Sequence, residues 1–196
     1  MGIINNKNAM QPTRTPLVAS LMIVSLVAGI GIGYYFNPQY QLAMYEKTEM
    51  DLGQADRWID LRYIDAMIAH HRGAMLLAEQ VLNTTQRQEL NDLAKEILAT
   101  EPKLIDELYG WKKDWYGDQR TVRDPQVARL GQYDATFDLR FLNALIAHHE
   151  SGIVMTQDVR LKSSRTEILN NADAVEQFLT TTGSALRDWR TQWYSL

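Results

Sequence analysis

Two stretches decide the reading of this chain: DLRYIDAMIAHH at Asp60–His71 and DLRFLNALIAHH at Asp138–His149. They lie 78 residues apart, eight of their twelve positions are identical, and the other four exchanges are conservative. Average residue usage gives roughly one identity per twelve by chance. The match continues outward, with Asp56 falling on Asp134, Trp111 on Trp189, Trp115 on Trp193 and Tyr116 on Tyr194. The chain contains an internal duplication, with repeats at 56–116 and 134–194.

Each repeat reads as two helices. Ile64, Met67, Ile68, His71, Ala74, Met75, Ala78 and Leu82 recur with a 3.6-residue period. After the polar break Asn83–Gln86, a second stripe runs from Leu90 through Ile97, Ile105 and Leu108 to Trp115. Thr85 with Gln88, and Ser164 with Glu167, have the spacing of capping boxes. Pro102 is expected to kink or interrupt its helix, because it lacks a backbone N–H. Asp56 and Asp134 are candidate N-caps. Residues 117–132 are polar and form a crossover linker. The expected fold is all-α: residues 56–196 form a four-helix bundle of two duplicated hairpins about a pseudo-two-fold axis.

Composition excludes several functions. The 196 residues include no cysteine, so disulfides, zinc–thiolate and iron–sulfur sites and thiol nucleophiles are ruled out. Against 24 acidic residues stand 20 Lys+Arg, a balance that argues against nucleic acid as a partner.

Leu17 to Phe36 contains no charged residue. As a helix it would be about 30 Å long, enough to cross a hydrocarbon core. Lys7 and Arg14 precede it, and Glu46, Glu49 and Asp51 follow soon after. The positive-inside rule then predicts a cytoplasmic segment at 1–16, a single-pass anchor at 17–36, and a juxtamembrane segment at 37–55. The remainder is expected to be extracytoplasmic, in the periplasm, on the inner (cytoplasmic) membrane. Gly29 and Gly33 have the spacing that packs two such helices into a homodimer, in a run rich enough in glycine to produce it by chance.

All four histidines fall in the duplicated pairs His70–His71 and His148–His149. At 100° per residue, Asp60, Met67, His71 and Met75 share the middle of the apolar face, with His70 at its margin. Asp138 and His149 take the central places in the second repeat, and His148 the marginal one. Four imidazoles near a symmetry axis are costly to bury, and a bound cation offsets that cost. The expected metal ligands are His71 and His149 first, then His70 and His148, with Asp60 and Asp138 as ligands or as acceptors that orient an imidazole. Glu-x-x-His is absent, which argues against a di-iron centre. Thioethers at Met67 and Met75 beside imidazole point to copper, sequestered or passed on without catalysis. A structural His–Asp network in a scaffold that binds no metal is the alternative reading.

The pattern of Asp60, Met67, His70 and His71, repeated at Asp138, His148 and His149, resembles the bacterial family called domain of unknown function 305. The likeness spans about Asp56 to Tyr194, and Leu145 departs from the methionine that the motif favours. The resemblance implies a ferritin-like four-helix bundle, secreted or membrane-anchored, in a family some of whose members are associated with copper or silver in the bacterial envelope.

Overall fold

Apolar stripes of the kind read above cannot stay in water, and they bury themselves in four helices. The structure, a computed structural model, describes residues 52–196. Among these residues, α1 runs Ile59–Val81, α2 Gln88–Tyr116, α3 Phe137–Lys162 and α4 Thr166–Tyr194. The extensive interfaces are α1 with α2, α3 with α4, and α1 with α3. The four-helix expectation therefore holds, with α1 and α3 at the centre. The expected anchor at 17–36 lies outside the described residues. No helix among the described residues is long and apolar enough to cross a membrane.

The two hairpins are clasped by each other's turns. Asp60 at the start of α1 accepts a hydrogen bond from Ser163 Oγ (2.6 Å) and pairs with Arg165 (3.0 Å), both in the α3–α4 turn. Asp138 at the start of α3 pairs with Arg87 of the α1–α2 turn (3.5 Å). The arginines also lie over tryptophans, Arg165 at 4.2 Å from the Trp115 ring and Arg87 at 4.1 Å from Trp193. These contacts are equivalent under the repeat. They require α1 and α3 to run antiparallel, so residues 117–136 must travel the length of the bundle. Gln80 holds that segment, donating to the Ala128 carbonyl (3.0 Å) and accepting from the Leu130 N–H (2.9 Å).

The correspondence also extends upstream of Asp56. Arg62 donates to the Leu52 carbonyl, and Arg140 to that of Leu130; both leucines are buried.

Helix ends differ from expectation. The N-caps of α2 and α4 are Arg87 and Arg165, and neither makes a side-chain cap. Thr85 and Ser163 instead accept from the backbone N–H of those arginines. A hydroxyl held in this local turn precedes the helix rather than capping it. Asp56 and Asp134 do the same for Trp58 and Thr136. Pro102 does not interrupt α2, which is continuous to Tyr116. A proline removes one intrahelical bond, and buried Ile97, Ile105 and Leu108 hold the helix on either side of it.

Lys112, only 2% exposed, ends the stripe of α2 with its ammonium on Asp65 (2.7 Å) and the Arg120 carbonyl (2.9 Å). Replacing Lys112 by Met leaves these acceptors without their cation. We expect a loss of about 1–3 kcal/mol in urea unfolding; an unchanged midpoint contradicts that role.

Candidate metal centre

Two apolar clusters fill the bundle towards its ends. One contains Ala74, Leu90, Phe141 and Leu186, the other Ile64, Ile105, Met155 and Ile168. The four histidines form the polar layer between them. They are 3% (His70), 5% (His71), 3% (His148) and 6% (His149) exposed.

His70 and His148 meet face to face between α1 and α3, with ring centroids 3.9 Å apart and planes inclined by 17°. His70 Nε2 donates to the His148 carbonyl (3.1 Å), which leaves His70 Nδ1 unpartnered. A glycine on each helix admits the opposing ring. A Cβ on Gly152 would collide with His70 and lie 2.6 Å from Leu179, and one on Gly73 would lie 3.0 Å from His148.

His71 turns instead towards α2, where its Nδ1 contacts the Glu101 carboxylate and its Nε2 stays unpartnered. His149 lies against Gly183 of α4 and leaves Nδ1 unpartnered. The wheel placed His71 and His149 at the axis, and the structure places His70 and His148 there. The reason is that α1 has two partners, so the margin of its stripe faces α3 while its middle faces α2.

Burial makes these rings poor bases. It lowers the His70 pKa well below the ordinary imidazole value, helped by neighbouring His148 and His71. It lowers His148 to about 3, with His149 adding repulsion, and His149 to about 4. These three are neutral near pH 7, the state in which imidazole ligates a metal.

The rings border a partly open cavity of about 360 Å³ between α2 and α4, walled by Ile97, Leu104, Val175, Phe178 and Trp189. Each imidazole brings one unpartnered nitrogen to this layer. That donor chemistry fits a transition-metal ion. No group of three His, Asp or Glu side chains stands at coordinating distance among the described residues.

The other expected ligands are engaged elsewhere. Asp60 and Asp138 serve the clasps described above. Met67 is fully buried in an apolar cluster, and Met75 packs against both clusters. Neither methionine lines the cavity. Sequence reasoning missed Glu101. The signal was present, because Leu90, Ala94, Ile97, Glu101, Ile105, Leu108 and Lys112 are the buried stripe of α2, and Glu101 is the one acid in it.

Two outcomes follow. In the metal-free protein, the unfolded chain takes up protons on its histidines below about pH 6.5, whereas folded His148 and His149 resist until about pH 3–4. Stability should therefore fall as pH drops from 6.5 towards 4, and less steeply in His148→Gln, as read from urea midpoints. Gly152→Ala should cost about 1–3 kcal/mol by overpacking against His70 and Leu179, and a neutral effect would show that the ring has room to move.

Three solved structures of CopM share this fold. The Cu(I)-bound form is 25% identical at a TM-score of 0.62, covering 70% of this chain and 99% of that one. The apo form is 25% identical at 0.61, covering 69% and 98%. The form soaked with silver is 25% identical at 0.60, covering 71% and 99%. No curated protein matches the sequence. The family described as Domain of unknown function (DUF305) matches residues 60–128, the first histidine motif with its hairpin and part of the linker, and it is the family that the duplicated motif resembles.

Proposed function

We propose that this chain binds a transition-metal ion, copper, in the histidine layer of its bundle and holds it or passes it on without catalysis. The observation that carries the reading is the set of four buried imidazoles, each with one unpartnered nitrogen, in one layer beside a cavity. An uncompensated buried acceptor is a standing cost, and an ion that accepts its lone pair removes that cost. His70, His71, His148 and His149 would hold the ion. When bound, the ion supplies Lewis acidity and, for copper, a change of oxidation state. The chain's residues bind it, and burial keeps His70, His148 and His149 free of protons near pH 7. Asp60, Asp138, Met67 and Met75 take no ligand role in this proposal.

Support comes from the chemistry of the donor set and from the likeness to a protein solved with copper and with silver bound. The charge-free run at 17–36 adds the second part of the proposal. It anchors the chain in the cytoplasmic membrane as a single span, with the bundle on the extracytoplasmic side.

The test is metal titration of the full chain in detergent, wild type against His71→Ala combined with His149→Ala. An ion at 100 times its dissociation constant should stabilise the wild type by about 2.7 kcal/mol. The double variant should lose most of that gain. Equal melting with and without copper, far above any plausible affinity, would instead identify the layer as the polar network of a scaffold.

A further inference from the structure

The halves of the histidine layer are not equivalent. Glu101 of α2 occupies the place that Leu179 occupies in α4, and both residues line the same cavity. The Glu101 carboxylate, itself buried, contacts His71 Nδ1. The contact engages Nδ1 with the carboxylate, while the other nitrogen, Nε2, is buried without a hydrogen-bond partner. His149, beside Gly183 and the apolar Leu179 half, has no carboxylate partner among the described contacts.

We propose that Glu101 is a positioning residue that fixes the His71 ring and, through its charge, biases the first-repeat half of the site towards divalent over monovalent metal ions. The second-repeat half, with Leu179 in the equivalent place, lacks this bias. The inference rests on the metal-binding reading above and deepens it.

A carboxylate at a fixed distance attracts a divalent ion twice as strongly as a monovalent one. Loss of a carboxylate behind a ligand imidazole costs about 10–100-fold in metal affinity. Where charge dominates that loss, a monovalent ion should lose the square root of it, about 3–10-fold. A carboxylate that merely ties α2 to α1 would produce no such dependence on the charge of the ion.

Zinc(II), copper(II) and silver(I) are titrated separately into the full chain by competition with chelators of known affinity, for wild type and Glu101→Gln. Zinc and silver keep their oxidation states, so charge is compared free of redox change. Nitrogen-15 NMR of the metal-free chain reads which nitrogen of His71 carries the proton. The proposal expects a proton on Nδ1 in the wild type. It also expects losses of about 10–100-fold for the divalent ions and about 3–10-fold for silver in the variant. Glu101→Leu, which copies the residue of the other repeat, replaces Glu101→Gln if the amide variant fails to fold.

Equal losses for both charge types, no loss, or a wild-type His71 protonated only on Nε2 would each overturn the proposal. A wild type that binds none of the three ions overturns the metal reading as well, and that result is visible before any substitution is made.

Discussion

The stacked contact of His70 with His148 is the constraint around which the rest of the bundle is arranged. Two imidazoles at van der Waals distance between antiparallel helices cannot both carry charge, and burial removes the water that would screen them. The rings must be neutral, and each helix must offer the other a place without a side chain. Gly73 and Gly152 meet the second demand. Apolar clusters lie on either side of the layer, and each ring keeps one buried nitrogen without a protein partner.

The hairpins are kept in register by something quite different. Each clasp joins an aspartate and a tryptophan of one repeat to an arginine of the other, as in Asp60–Arg165–Trp115 and Asp138–Arg87–Trp193. An arginine serves here because its planar cation pairs with a carboxylate and lies on a ring at the same time. Since the clasps sit at the helix starts, they fix the sliding of α1 along α3. That sliding coordinate determines whether His70 meets His148. The aspartates read from the sequence as metal ligands, or as acceptors that orient an imidazole, thus bear on the histidine layer by setting helix register.

The fold was legible because duplication states the same answer twice. Two copies of DLR…IAHH, each on a 3.6-residue stripe and followed by a second stripe, leave little besides paired hairpins. What periodicity could not show is which neighbour each part of a stripe faces. A wheel has one centre, whereas α1 packs against two helices, and so His70 faces the second repeat while His71 faces α2. The turns were misread for a local reason: Ser164 has the capping-box spacing, but Ser163 is the equivalent of Thr85, and its hydroxyl reaches Arg165. Glu101 was legible and overlooked, since a search that begins from histidine spacing does not inspect the apolar stripe of another helix.

Some contacts recur in both repeats, and others occur in one alone. The clasps, the contacts from Arg62 and Arg140 to the segments before their helices, and the paired tryptophans recur in both halves. Of these, the clasps alone join one hairpin to the other. The differences lie deeper in the helices: Glu101 against Leu179, and the pair Lys112–Asp65 against Arg190–Asn143. Neither difference is required by topology, because the other repeat folds without it. A buried carboxylate beside an imidazole is expensive where an apolar residue fits equally well, as Leu179 demonstrates. Its presence in one half alone is therefore left unexplained by topology, and it is this asymmetry that the proposed role of Glu101 beside His71 addresses.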